Sequence, residues 1–219
     1  MSSLSHAGFE VRSMIKGIIL DLDMCILDTR SLRGPFFEEV LAPLRASILP
    51  EKIAIEQALM TTSLDDVAKL FSMPVELLEE MRTAYREATV PQGIRTFGDE
   101  ECLRSFTQTK ILVTSGFIKF QQGKIDQLGI ADLFDEIHID STDDPVTRKG
   151  KKVIFEECMK RHGWLPGEVL VIGDNPVSEL KAGKELSMVT VQTVRPSIVR
   201  SDIADHHIES LSELSSLLT

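Results

Sequence analysis

Short, nearly continuous apolar runs alternate with amphipathic stretches along most of the chain. Lys16 to Asp21, Ile111 to Thr114, Glu136 to Ile139, Val169 to Gly173 and Met188 to Gln192 read as strands. Their apolar residues are mostly consecutive, as expected of strands covered on both faces. Helices are predicted between them. Phe117 to Leu128 carries Ile118, Ile125 and Leu128 on one face, and Lys151 to His162 carries Phe155, Met159 and His162 at helical spacing. Pro176 suits the first turn of a helix running to about Leu186. Strands alternating with helices of this length imply right-handed crossovers, hence an α/β fold with a Rossmann-like parallel sheet and helices on both faces.

Residues 30–91 break the rhythm, with helical patterns and no strand-like run. Val40, Leu41, Leu44 and Ile48 recur at helical spacing, and Pro43 is expected to kink or restart that helix. Ser63-Leu64-Asp65-Asp66 reads as a capped helix start, and Leu78, Met81 and Tyr85 form a stripe. An all-helical domain over 30–91 is therefore expected to interrupt a core formed by 1–29 and 92–219. There is no internal repeat or low-complexity segment, and the Ser-rich ends read as surface termini.

A formal charge of −10 argues against nucleic acid or an anionic membrane as the main partner, leaving room for a small anion held locally. Cys25, Cys102 and Cys158 are few, widely spaced and odd in number, which speaks against a disulfide framework or a zinc site and for a reducing, cytoplasmic setting. The first fifteen residues lack the apolar core of a secretory signal, and no apolar run reaches the ~18 residues of a membrane span.

The chemistry concentrates at strand ends. Asp21-Leu22-Asp23 follows the first strand, and Gly173-Asp174-Asn175 follows the fourth, with Glu179 five residues after Asp174. Ligands of open parallel sheets bind beyond the carboxyl ends of the strands, so both clusters should reach one crevice. Two carboxylates ~4 Å apart repel by roughly 4 kcal/mol at an effective dielectric near 20, which a divalent cation would relieve. Thr114-Ser115-Gly116 ends another strand directly before a helix and would offer backbone N–H groups and a hydroxyl to an anion. Arg148-Lys149-Gly150-Lys151-Lys152 places cations where a helix dipole disfavours them. Taken singly, each has an ordinary explanation as a cap, a turn or a solvated face.

Together, and in this order, the four elements resemble the haloacid dehalogenase superfamily of phosphohydrolases. The resemblance spans Lys16 to Leu27 and about Phe97 to Leu217, with residues 30–91 where a small helical cap of that superfamily occurs. It implies that Asp21 is a nucleophile forming an aspartyl phosphate and Asp23 a general acid and base. It also implies that Thr114, Ser115, Gly116 and Lys149 bind the phosphoryl group. Magnesium would be held by the Asp21 carboxylate, the Asp23 carbonyl and the Asp174 carboxylate, with Glu179 behind them. Lys149 is preferred to Lys151 by its spacing to Ile154-Phe155. The implied activity is magnesium-dependent hydrolysis of a small phosphorylated metabolite. Alternatives are a phosphosugar mutase, a 2-haloacid dehalogenase, which needs neither Asp23 nor a metal, and a non-catalytic module of the same fold.

This chain departs from the resemblance at Met24-Cys25, where Gly-Thr is common, at Glu179, where Asp is frequent, and at Gly150, where a proline often follows the lysine. Cys25 is expected to be a small buried residue. Adjacent His206 and His207 would face opposite ways on a strand and could not easily share a metal. Arg30 and Arg33 begin the helical region and are candidates for a second anionic group of the substrate. Phe36-Phe37 and Trp164 are assigned to packing, and Lys52 and Lys69, the lysines available to a phosphonate-hydrolysing cap, have no supporting context.

Overall fold

The protein is described by a computed structural model over residues 14–32, 35–59 and 62–218, for 35–37 by the backbone alone. Its first strand, β1 (Gly17–Leu20), is followed by four helices, α1 (Pro35–Ala46), α2 (Lys52–Ala58), α3 (Leu64–Leu70) and α4 (Val75–Glu87). Then come β2 (Thr109–Gly116), α5 (Ile118–Leu128), β3 (Glu136–Ser141), α6 (Lys151–His162), β4 (Val169–Gly173), α7 (Glu179–Glu185), β5 (Val189–Thr193) and β6 (His206–Ile208). The sheet order is β3-β2-β1-β4-β5-β6, and every pairing is parallel. The order reverses at β1 and β4, which opens a crevice at their carboxyl ends.

The apolar run of β1 serves two cores at once. Ile18 and Leu20 join the larger core, shared with the inserted helices and α5, whereas Ile19 faces the smaller one, built with Ile154 and Phe155 of α6 and Ala182 of α7. All three side chains are essentially inaccessible, as a strand sandwiched between helical layers requires. Gly17 opens the strand because a Cβ there would lie 2.5 Å from the Trp164 ring, which stacks on His162 at 4.3 Å. Trp164 thus packs against the amino end of the sheet, as expected of a packing residue.

The helices of residues 30–91 stand on the larger core. Val40 and Leu44 of α1, Val67 of α3 and Met81 of α4 are fully buried, and Tyr85 stacks on Phe117 at 5.1 Å, joining α4 to the start of α5. Ser63 caps α3 by accepting from Asp66 N at 3.2 Å. Pro43 does not interrupt α1, which runs through it to Ala46. Ile48, expected on the apolar stripe, is fully exposed because the helix has already ended.

Two further differences lie near the crevice. The helix expected from Pro176 begins only at Glu179, because Asn175 Oδ1 accepts from Val177 N at 3.0 Å and holds residues 175–178 in a turn. β6, too short and too polar for periodicity to reveal, closes the sheet edge beside β5. Among the described residues no helix is long and apolar enough to cross a membrane.

Candidate active site

Leu20 pairs with Ile172, so the residues that follow β1 and β4 emerge side by side, and Asp21 N donates to Ile172 O at 2.9 Å. Asp21 is buried, and its Oδ1 accepts from Lys151 Nζ at 2.8 Å. The same ammonium donates to Glu179 Oε2 at 2.8 Å. Ligand oxygens of Asp21, Asp174 and Glu179 all lie within 4.8 Å of one another. Three carboxylates face one ammonium, an excess of two negative charges in a largely dry site. Burial, with the neighbouring Glu179 and Asp21, pushes the Asp174 carboxyl up to about 8. Burial also outweighs the attraction of Lys151 and moves Asp21 up to about 7. Lys151, between two acids, is held well above the usual lysine range despite the burial that opposes it.

Glu179 is seated by two local devices. Its Oε1 accepts from Asn175 N at 2.6 Å, and Gly173 leaves the space, since a Cβ there would come within 2.3 Å of that same oxygen. Glu179 is thereby saturated by Lys151 and the backbone. Asp174's carboxylate makes no hydrogen bond or ion pair with any described residue, and Asp21 Oδ2 is likewise unengaged. The donor set therefore fits a hard divalent cation on oxygen ligands, with Asp21 and Asp174 as its carboxylates and Glu179 behind them.

Asp23 faces different neighbours. Its carboxylate accepts from Lys124 Nζ at 2.8 and 3.0 Å and from Gln121 Nε2 at 3.1 Å. Gln121 Nε2 also reaches Thr114 Oγ1 at 2.5 Å and Ser115 O at 3.1 Å. Gly116 makes room for it, because a Cβ there would meet Gln121 Cγ at 2.9 Å. Ser115 turns its hydroxyl to Asp140 at 3.1 Å, leaving only its backbone for the crevice. Gln121 and Lys124, both buried polar residues on α5, escaped the sequence reading. Apolar periodicity weighted Ile118, which is in fact 51% exposed, and passed over the polar pair one turn apart between Phe120 and Ile125.

Lys149, the lysine preferred from its spacing, does not reach the site. It is on the surface, paired with Glu157 at 2.8 Å, and the lysine beside Asp21 is Lys151. Gly150, at φ +82°, turns the chain just before α6, and its N–H is held by buried Asp140 at 2.9 Å. The first helical residue then points inward and Lys149 outward. A cation of the basic run does stand in the site at this helix start, but it is Lys151, two residues beyond Lys149.

Met24 adopts φ +53°, the left-handed conformation that glycine takes freely. Cys25 is fully buried, its Sγ 3.9 Å from Ile172 O, and burial pushes its thiol well above the usual range, as befits a packing residue. Behind this loop Arg195, also unforeseen, donates to Cys25 O from Nε at 3.1 Å and from Nη2 at 2.8 Å, pairs with Asp99 and lies 4.3 Å from the Phe97 ring centre.

The remaining candidates are engaged elsewhere. Arg30 pairs with Asp28 at 2.6 Å, Lys52 binds the carbonyls of Arg45 and Ser47 at the end of α1, and Lys69 lies 3.7 Å from Asp66. His207 contacts Ser201 O at 2.8 Å on the edge strand. Arg33 and the side chains of Phe36 and Phe37 lie outside the described residues. A second grouping, Glu136, His138 and Cys158, sits towards the opposite end of the sheet. Glu136 there already meets His138 at 2.8 Å, His162 at 2.7 Å and Arg161, so its charge is answered without a cation.

The site thus joins a central-strand aspartate clamped by a buried lysine, a second aspartate two residues on and an acidic pair that follows the neighbouring strand. The family model for haloacid dehalogenase-like hydrolases matches residues 18–193, and the chain belongs to that family. No curated protein sequence matches it. Among solved structures it is similar to YfnB of Bacillus subtilis, described as a HAD-hydrolase bound to magnesium, at 17% identity and TM-score 0.65 over 94% of this chain and 99% of that one. A HAD phosphatase of Thermococcus onnurineus shares 26% identity at TM-score 0.61, covering 93% and 98%. A 2-haloacid dehalogenase of Pseudomonas syringae shares 17% identity at TM-score 0.56, covering 94% and 98%.

Proposed function

We propose that this hydrolase cleaves the phosphoric monoester of a small metabolite, using magnesium and passing through a phosphorylated Asp21. The observation that carries the reading is the pair of acids at the end of β1 in opposite settings. Asp21 belongs to an electron-rich cluster that invites a cation, and Asp23 is a carboxylate held apart by its own lysine and glutamine. A haloacid dehalogenase would need neither the second acid nor the cation site.

Lys151 fixes the Asp21 carboxylate through Oδ1, so that one of its oxygens can attack phosphorus while the other would stay with the cation. The new bond forms between the attacking oxygen and phosphorus while the ester P–O bond breaks, and the departing oxygen takes a proton from Asp23, whose resting carboxylate has taken up one proton from solvent before this step. Asp23, now a carboxylate, accepts a proton from water as its oxygen attacks phosphorus and frees Asp21, releasing inorganic phosphate. Thr114, the backbone of Ser115 and Gly116, and Lys151 would neutralise the equatorial oxygens, where the transition-state charge is spread. Magnesium, held by the carboxylates of Asp21 and Asp174 and by the Asp23 carbonyl, would supply Lewis-acid neutralisation of the phosphoryl oxygens. The helices over residues 30–91 would act as the cap that excludes water and selects the substrate.

The test is release of phosphate from p-nitrophenyl phosphate and a panel of phosphorylated metabolites, with magnesium, with a chelator and with Asp21→Asn. Magnesium-dependent release that falls by more than about 10³-fold in the variant is expected. Undiminished release in Asp21→Asn would remove the nucleophile assigned here, and phosphate transferred within the substrate rather than released would make the protein a mutase.

A further inference from the structure

Lys124 is only 5% exposed, and burying an ammonium costs several kcal/mol unless a partner answers it. Its ion-pair partner is Asp23, whose two oxygens it bridges, and its remaining described contact is the Phe120 ring, 4.9 Å from Nζ to the centroid. Packing alone would favour an apolar side chain at this position of α5, between Phe120 and Ile125. Gln121, also buried, points the same way. One amide group touches Asp23 Oδ2, Thr114 Oγ1 and Ser115 O, tying the acid after β1 to the end of β2. Asp23 itself sits on a loop with its side chain 30% exposed, so without these partners nothing described would fix its rotamer.

We propose that Lys124 and Gln121 are positioning residues for Asp23. They hold its carboxylate in the one orientation from which it can serve the oxygen leaving the phosphoryl group, and the Gln121 amide couples that orientation to the Thr114 hydroxyl at the end of the adjacent strand. Gly116 belongs to the same device, since any side chain there would displace Gln121. The inference rests on the phosphomonoesterase reading for its catalytic meaning, but its geometry can be tested without turnover.

The experiment compares Lys124→Met, which keeps the stem and removes the charge, with Lys124→Arg and Gln121→Leu in the full chain. The crystal structure of Lys124→Met should show the Asp23 carboxylate moved or spread over more than one rotamer. An unmoved Asp23 would overturn the proposal whatever the protein's substrate. In kinetics with magnesium, kcat for an alkyl phosphate should fall by about 10²-fold in Lys124→Met with KM nearly unchanged, the size of a misplaced general acid. The loss should be smaller for p-nitrophenyl phosphate, whose phenolate leaves without a proton. Lys124→Arg should recover most of the difference, and Gln121→Leu should lose less than Lys124→Met. Equal losses on both esters, tracking a lowered Tm, would overturn it in favour of a structural brace. If the unmutated protein cleaves neither ester, it is the phosphatase reading that falls, and the Asp23 conformation still decides the positioning.

Discussion

Asp21 and Asp23 stand two residues apart and face opposite electrostatic worlds. The Asp21 side chain is 8% exposed, one of three clustered carboxylates of which two share a single lysine and the third has none. Asp23 is 30% exposed and has a lysine and a glutamine of its own. One half of the site is left short of positive charge, and the other is already balanced. Nearness in sequence therefore says little about function here; the helix that each acid faces decides it, α6 with Lys151 for Asp21 and α5 with Lys124 for Asp23.

The most severe way to break the contrast is to remove the cation that Asp21 does have. Lys151→Met strands two buried acids and should cost about 3–5 kcal/mol in urea denaturation, together with any turnover. Lys149→Met should change stability by no more than about 0.5 kcal/mol, because its partner Glu157 is on the surface. Equal effects in the two variants would mean that the Asp21 cluster does not depend on Lys151.

The unbalanced half should also show itself in pH. With folded values of about 7 for Asp21 and about 8 for Asp174, against ordinary carboxylates near 4, the metal-free native state holds more protons than the unfolded chain across that interval. Its stability should then fall as pH rises from about 5 to 8. Carboxylates held low, such as Asp28 beside Arg30, titrate below this window and do not mask it. Magnesium competes with those protons, so it should raise Tm more at pH 8 than at pH 6, and Asp174→Asn should flatten both trends. A metal-free Tm that is level or rises across the window would contradict the charge excess.

The smallest effect belongs to the loop between the two halves. Met24→Gly relieves a left-handed residue and should add a few tenths to about 1 kcal/mol by thermal denaturation. A loss would mean that the methionine side chain stabilises the loop by more than its backbone strain costs.

The parallel strands and the two acidic clusters were legible because each combines a continuous apolar run with polar residues at its end, and the sheet order then makes those ends meet. Three parts were hidden for physical reasons. The register of the basic run depends on the φ of Gly150, which composition does not encode. Gln121 and Lys124 are buried polar residues, invisible to a search for apolar faces. Arg195 acts through the Cys25 carbonyl and Asp99, partners far away in sequence. The helical character of residues 30–91 was readable from periodicity, yet Ile48 shows that the pattern can outrun the helix that bears it.

The packing of Trp164 on Gly17 provides a built-in optical probe. It is the sole tryptophan of the chain and lies at the amino end of β1, a strand's length, roughly 13 Å, from Asp21. Its indole stacks on the His162 ring, and an added methyl at Gly17 would collide with it. Emission excited through that indole follows whether the central strand is in place and is indifferent to what occupies the far crevice. Folding and occupancy can therefore be followed in one cuvette as separate signals.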